Sequence, residues 1–310
     1  MFRLRTLRHT CSFLVCACAS LPGSSQNSAH QTAPELTEIK ELAFQVPSNP
    51  ALNVGIEKAF PPGVIYMMDS FTAKPRRLVI GDAPAISPDG KLIIYCERLG
   101  PGWGQIQIVQ ADGNNRKQLS HMKHEGACSP RWSPDGTKIA ITGFSDNDHT
   151  IYSMDADGEN VTSITPGNNP KWSPDGKHIL LTRWVRGGDS ALWIVNADGS
   201  DPKKVISINS DNEVNPTWFP DGQSIVLEQR LNDRSALYQV NVDGTNLHLF
   251  QANDHLDLFS PIFSPDGKFL VVDTISKPDS SRAILLIDLA GHQARPLAYG
   301  SHASVVWSKQ

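Results

Sequence analysis

The sequence predicts an all-β fold, a six-bladed β-propeller whose blades are four-stranded antiparallel sheets. Three observations predict it. A short motif ending in Pro-Asp-Gly recurs at intervals of about 44 residues along most of the 310-residue chain. The segments between the motifs alternate apolar and polar residues, which is the period of a half-buried strand. These segments are bounded by Gly, Pro, Asn and Asp, the residues that favour tight turns.

The recurring motif contains an apolar anchor residue, which Ser-Pro-Asp-Gly follows in most copies. Clear copies occupy residues 130–136, 170–176, 216–222 and 261–267, and a weaker copy occupies 84–90. The anchors at positions 86, 132, 172, 218, 263 and 307 are 46, 40, 46, 45 and 44 residues apart. Proline fixes φ early in a turn and glycine accepts a positive φ at its end, so each motif predicts a hairpin between two strands.

Each unit has the same interior after the motif. In the unit that begins near residue 130, an apolar segment at 138–142 is followed by a second one at 150–155. Asp157-Gly158 then signals a second hairpin, and a fourth short segment follows at 161–164. Four antiparallel strands in each of several repeated units of this length are typical of a β-propeller.

The blade count follows from the two ends of the repeat. Five units carry Pro-Asp-Gly, while residues 306–308 supply only the start of a sixth unit. Residues 63–69 match a third strand and residues 75–79 match a fourth. We therefore expect the C-terminal strand to complete the N-terminal blade, which closes the ring and removes an exposed sheet edge. Six blades would then occupy about 255 residues.

The N-terminal segment has the pattern of an export signal. Three arginines precede a short apolar run and small residues, so residues 1–19 are predicted to be a signal peptide. Cleavage before Ser20 and lipid attachment at Cys18 are both compatible with this pattern. Residues 20–50 are rich in Ser, Gln, Pro and Asn and predict a flexible tether, within which 35–46 could form a short amphipathic helix. The propeller is expected to occupy residues 51–310.

Composition excludes some classes of protein and leaves one cysteine question open. The formal charge of −4 becomes −7 when Arg3, Arg5 and Arg8 leave with the signal, which argues against a nucleic-acid partner. No apolar run reaches the ~18–20 residues that a membrane span needs, so membrane attachment would depend on Cys18. Cys96 and Cys128 remain in the exported chain, either as one disulfide or as two buried thiols.

The repeats resemble those of the TolB-type six-bladed propellers, also called PD40 or WD40-like repeats. The resemblance rests on Trp-Ser-Pro-Asp-Gly and Asp-Ala-Asp-Gly and covers residues 54–309. It implies a propeller in the bacterial cell envelope, periplasmic or secreted or an outer-membrane lipoprotein. Members of the TolB type also carry an N-terminal α/β domain, and about 30 residues between signal and propeller leave no room for one. The role of that domain is therefore not transferred to this chain.

Candidate binding residues are those that the repeat does not explain. Trp132, Trp172, Trp218 and Trp307 recur at the anchor position and are interpreted as packing residues. Ligands of such propellers usually use the face that carries the blade-connecting loops and the loops between strands two and three. We expect the partner-binding residues on that face to come from Trp103, His121, His124, His149, Arg183, Trp184, Arg186, Arg230, His255 and His302.

The motifs favour a binding protein over an enzyme. The sequence has no Gly-x-Ser-x-Gly nucleophile elbow, P-loop, Gly-x-Gly-x-x-Gly or His-Glu-x-x-His, so no catalytic, cofactor or metal site is assigned. The leading hypothesis is an exported non-catalytic propeller that binds a protein or peptide at its channel face. Two alternatives remain, a metal-dependent lyase of the oligogalacturonate type and a sensor or scaffold that binds cell-wall glycans.

Overall fold

The computed structural model describes most of the repeat region. The described residues are 39–46, 63–69, 74–97, 104–121, 126–144, 148–184, 190–208, 214–231, 234–276, 281–291, 293–298 and 300–307. The predicted signal peptide, Cys18 and most of the predicted tether lie outside these ranges. No helix able to cross a membrane is found among the described residues.

The described strands form six antiparallel sheets of four strands each, which confirms the predicted all-β, six-bladed propeller. Blades 1 to 3 are built from the following strands. Blade 1 has the order β24-β1-β2-β3, with β24 Ser301–Trp307, β1 Ile39–Val46, β2 Val64–Met68 and β3 Arg76–Ile80. Blade 2 contains β4 Asp82–Ile86, β5 Leu92–Glu97, β6 Gln105–Gln110 and β7 Lys117–Gln118. Blade 3 contains β8 Gly126–Trp132, β9 Lys138–Phe144, β10 His149–Asp155 and β11 Thr162–Pro166.

Blades 4 to 6 repeat the same order along the chain. Blade 4 contains β12 Asn168–Trp172, β13 His178–Trp184, β14 Ser190–Asn196 and β15 Lys203–Ile208. Blade 5 contains β16 Thr217–Trp218, β17 Ser224–Leu231, β18 Arg234–Asn241 and β19 His248–Gln251. Blade 6 contains β20 Leu256–Phe263, β21 Phe269–Ser276, β22 Arg282–Asp288 and β23 Gln293–Ala298. In every blade the first strand in this order is the innermost one.

The expectation of a helix within 35–46 is wrong, because Ile39–Val46 is strand β1. This strand lies between β2 and the C-terminal β24 and pairs with both. Leu42, Ala43 and Phe44 are all buried, since a second strand is covered by the neighbouring blades on both faces. The folded propeller therefore includes part of the segment that the sequence predicted to be a tether.

The Ser-Pro-Asp-Gly turns join the first and second strands through one repeated set of hydrogen bonds. In blade 3, Ser133 Oγ donates to Asp135 Oδ1 at 2.6 Å and accepts from the Lys138 backbone N–H at 2.9 Å. Gly136 follows with φ 73°, a conformation that favours glycine. The hydrogen bond from Ser133, together with those from the backbone and side chain of Thr137, lowers the pKa of the Asp135 carboxyl below its ordinary value. The motif therefore has a structural role in shaping the turn.

The core lies between neighbouring blades. One of its clusters joins blades 4 and 5, where Leu180 and Leu192 pack with Trp218, Ile225 and other buried side chains. A second cluster joins blades 1 and 6 through β1, β21 and β22. Because each sheet is buried against two neighbours, the described second strands carry buried apolar residues on both faces.

Candidate functional site

The innermost strands of five blades, all except blade 5, contain the same backbone irregularity within the described residues. The pairing of these strands with the second strand of the same blade shifts by one residue, as it does between Cys128 and Arg131 of β8. At each register shift, one residue has the left-handed backbone conformation. These residues, all with positive φ, are Ala83, Ser129, Asn169, Ser260 and His302. Each bulge interrupts the ladder, so its backbone N–H groups need acceptors from elsewhere.

The position ten residues after each anchor lies on a second strand and holds Cys96, Thr142, Thr182, Glu228 and Asp273. In two blades its side chain accepts a hydrogen bond from a backbone N–H in the bulge of the next blade. The Oγ1 atom of Thr142 accepts the backbone N–H of Asn169 at 3.1 Å. Asp273 Oδ2 accepts the backbone N–H of His302 at 2.7 Å. The same position of the repeat therefore contacts the next blade through a hydroxyl group in one blade and through a carboxylate in another.

Cys96 uses the same position to form a covalent link. The structure joins it in a disulfide to Cys128 on the innermost strand of blade 3, with a Cα–Cα distance of 5.1 Å. The bond crosses from blade 2 to blade 3 and encloses a sequence separation of 32 residues. Of the two arrangements that the sequence left open, the structure has the disulfide.

A cavity of about 330 Å³ opens where blades 5, 6 and 1 meet. It lies at the ends of the second strands, the starts of the third strands and the innermost strands, which is the face that the sequence predicted for ligand binding. Its polar lining includes Glu228, Ser235, Ser260, Asp273, Arg282 and His302. These residues come from three blades and converge only because the ring closes.

Two buried carboxyl groups characterise this cavity. Glu228 is 8% exposed and Asp273 is 6% exposed. Burial raises the pKa of Asp273 to about 6, although hydrogen bonds from the His302 and Ala303 backbone and from Ser260 favour the ionised form. The Oδ1 atom of Asp273 is buried and has no hydrogen-bond partner among the described residues. The carboxyl group therefore has an unused acceptor, in a residue that lines the cavity.

His302 is the predicted site residue that lines the cavity. Its side chain contacts solvent, but the surrounding protein and the positive charges of Arg131, Arg282 and Lys171 lower its pKa to about 4. The imidazole is therefore neutral at pH 7 and can both donate and accept a hydrogen bond. Ser301 Oγ lies 3.2 Å from its Nδ1 atom.

The other predicted binding residues that the structure describes are spread over the molecule. His121 and His255 are exposed, and His149 packs edge-on against Phe144 with ring centroids 4.8 Å apart. Arg183 lies 4.5 Å from the ring centroid of Trp193 and donates to the carbonyl of Pro166. None of these four residues lines the cavity.

The remaining predicted residues cannot be placed around the cavity. Trp103, His124 and Arg186 lie outside the described residues. Trp184 and Arg230 belong to strands β13 and β17, but their side chains are not among the described ones. Sequence reasoning missed Glu228, Asp273 and Arg282. Alignment of the repeats at the position ten residues after the anchor would have identified the two carboxylates.

No group of three or more His, Cys, Asp or Glu lies close enough together to hold a metal ion within the described part of the chain. The lining of the cavity includes carboxylate, imidazole and guanidinium groups.

Comparisons with known proteins agree with the fold. A family model described as "TolB beta propeller domain" matches residues 104–308. The Tol-Pal system protein TolB of Bordetella pertussis is 31% identical over 143 residues, which cover 45% of this chain and 32% of that protein. The chain thus matches about a third of the length of this curated relative.

Two solved structures have a similar fold at low sequence identity. TolB from Acinetobacter baumannii is 20% identical with a TM-score of 0.68, covering 86% of this chain and 66% of that one. An oligogalacturonate lyase from Vibrio parahaemolyticus is 14% identical with a TM-score of 0.52, covering 76% of this chain and 71% of that one. At these identities the likeness concerns the fold alone.

Proposed function

Because the chain belongs to the TolB β-propeller family, we propose that it is an exported, non-catalytic propeller that binds a protein or peptide at its channel face in the cell envelope. The observation that carries this proposal is the cavity between blades 5, 6 and 1 on the predicted binding face. The family membership supports the fold, and the cavity supports a binding role.

The rigidity of the site supports binding of a partner segment. The cavity is formed by strands and strand ends whose backbones pair within four-stranded sheets, so little ordering is needed when a ligand binds. Its volume of about 330 Å³ is at the lower end of the range of small-molecule pockets. One inserted side chain or chain terminus fits this volume better than a long oligosaccharide.

The proposed location follows from the N-terminal sequence and from the relative. Residues 1–19 have the pattern of a signal peptide, with Cys18 as a candidate for lipid attachment. The name of the Bordetella relative places that protein in the Tol-Pal system. We propose a periplasmic or secreted location for this chain, with attachment to the outer membrane if Cys18 is lipidated.

Site-specific photocrosslinking in the native envelope tests the proposal. A photoreactive benzoylphenylalanine replaces Ser235, which lines the cavity. The matched control replaces Lys177, an exposed residue in the Ser-Pro-Asp-Gly turn on the opposite face. We expect the Ser235 probe to yield a discrete crosslinked protein that the Lys177 probe does not yield.

The opposite pattern would contradict the proposal. Crosslinks to one protein from the Lys177 probe alone would move the binding surface to the turn face. No protein crosslink from either probe, with the variant chains folded and exported, would argue against a protein partner.

A further inference from the structure

We propose that the cavity between blades 5, 6 and 1 is a subsite for one cationic group, an ammonium or a guanidinium, with the Asp273 carboxylate as its principal acceptor. The inference rests on the proposed function, because the cation would be carried by the partner segment. It specifies the chemistry of that partner, which the family membership leaves open.

The fold does not require a charge at the position of Asp273. In the repeat, the position ten residues after the anchor is Cys96, Thr142 and Thr182 in blades 2 to 4. Thr142 accepts the bulge N–H of the next blade with a neutral hydroxyl. Blades 5 and 6 have Glu228 and Asp273 instead, and both residues line the cavity. Burying a carboxylate is costly unless something compensates it, so the exchange points to a ligand.

Asp273 has an unused hydrogen-bond acceptor. Its Oδ2 atom accepts the His302 backbone N–H, while its Oδ1 atom has no hydrogen-bond donor within the described structure. The residue is more than nine-tenths buried and lines the cavity. A charged N–H donor that enters the cavity would form a short, charge-assisted hydrogen bond there.

The described cationic side chains form no direct ion pair with the Asp273 carboxylate. Arg282 lines the cavity, yet no described ion pair within 4.0 Å joins it to Asp273. Arg131 and Lys171 lie on inner strands, and their positive charges lower the pKa of His302. His302 itself is neutral at pH 7. An incoming organic cation would therefore compensate the buried negative charge of Asp273. The described residues do not provide the group of three ligands that a metal ion would need.

Small organic probes test the charge preference of the cavity. The full exported chain is titrated with n-butylammonium, n-butylguanidinium, n-butanol and butyrate, and the backbone amide signals of His302 and Ala303 are followed by NMR. We expect the two cations to shift these signals with affinities at least ~10-fold higher than butanol and butyrate show. Asp273→Asn, which keeps the shape and one acceptor, should lower the affinity for the cations about tenfold.

Matched variants separate a local site from general electrostatics. Asp82→Asn removes one carboxylate from an inner strand that does not line the cavity, and it should leave the cation affinity unchanged. If Asp273→Asn fails to fold, Glu228→Gln takes its place with the same expected direction. Butyrate binding as tightly as the cations would overturn the proposal in favour of an anion site at Arg282. Unchanged cation affinity in a folded Asp273→Asn variant would also overturn it.

The pH dependence provides an independent readout. Burial raises the pKa of Asp273 to about 6, so lowering the pH from 7.5 to 5 protonates the carboxyl and removes its charge. The charged and titratable groups that face it are Glu228, Arg282 and His302. The pKa of His302, about 4, keeps that ring neutral over most of this range. Butylammonium affinity should fall about tenfold, and Asp273→Asn should remove most of this dependence. A flat profile in the unmodified protein would overturn the assignment to Asp273.

The two proposals can fail separately. Crosslinking at Ser235 without any preference for cationic probes would retain a protein partner and reject the cation subsite. Selective binding of the cationic probes without a crosslinked protein would retain the subsite and reject the protein partner.

Discussion

At the scale of the residue, the repeated tryptophans join neighbouring innermost strands. The indole N–H groups of Trp132, Trp172 and Trp218 donate to the carbonyls of Ala85, Arg131 and Lys171, at 3.1, 3.2 and 3.1 Å. Each acceptor directly precedes the anchor of the preceding blade. The interpretation of these residues as packing residues is confirmed, because all three belong to or contact the core clusters.

Trp172→Phe should lower the free energy of unfolding more than Trp307→Phe does. Both changes remove the indole nitrogen, but Trp307 Nε1 has no hydrogen-bond partner among the described residues. Loss of the Trp172 hydrogen bond should cost about 0.5–1.5 kcal/mol beyond the shared loss of packing. Urea denaturation of the two variants measures the difference. Equal destabilisation would show that the indole hydrogen bond contributes nothing to stability.

At the scale of the element, the innermost strands of blades 1, 3 and 4 are linked to the second strand of the preceding blade. A bulge frees a backbone N–H, and a side chain from that strand accepts it, as Thr142 and Asp273 do. Blade 2 uses the Cys96–Cys128 disulfide at this boundary instead. The same structural position therefore holds a cross-blade link in some blades and a carboxylate that lines the cavity in others.

Removal of the disulfide should destabilise the propeller. The sequence separation of 32 residues corresponds to about 3–4 kcal/mol when the bond restricts the unfolded chain. The Cys96→Ser and Cys128→Ser double variant should therefore unfold at lower urea concentration than the oxidised protein. Reductant should lower the urea midpoint of the unmodified protein toward that of the variant, and it should leave the midpoint of the variant unchanged. Identical unfolding with and without reductant in the unmodified protein would contradict a stabilising disulfide.

At the scale of the whole molecule, the ring closes by joining distant parts of the chain. Strand β24 pairs with β1, although these strands are separated by most of the sequence. Phe44 of β1 is 1% exposed and packs with Val271 and Leu286 of blade 6. The closure therefore depends on burial of β1 as well as on strand pairing.

Phe44→Ala should strongly destabilise the propeller, by about 3–5 kcal/mol, because it leaves a cavity between blades 1 and 6. Lys40→Ala changes an exposed side chain on the same strand and should alter stability by less than about 0.5 kcal/mol. Thermal and urea unfolding of both variants provide the measurement. A small effect of Phe44→Ala would show that β1 is dispensable for ring closure.

Local patterns were sufficient to predict the repeating parts of this fold. The turns and strands of blades 2 to 6 depend on neighbouring residues, such as the Ser133–Asp135 hydrogen bond that shapes one hairpin. Strand β1 was missed because its polar flanks resemble a tether and its apolar spacing resembles a helix. Its partners, β2 and β24, are remote in sequence and determine its conformation by burying it.

The sequence by itself determined the blade count, the hairpins and the family resemblance, because these features repeat with a period that adjacent residues encode. Only the tertiary structure decided which side chains share a cavity. Glu228, Asp273 and His302 come from blades 5, 6 and 1 and lie together because the ring brings their strand ends to one place. The same closure buries the Asp273 carboxyl and raises its pKa, an effect that depends on surroundings contributed by several blades.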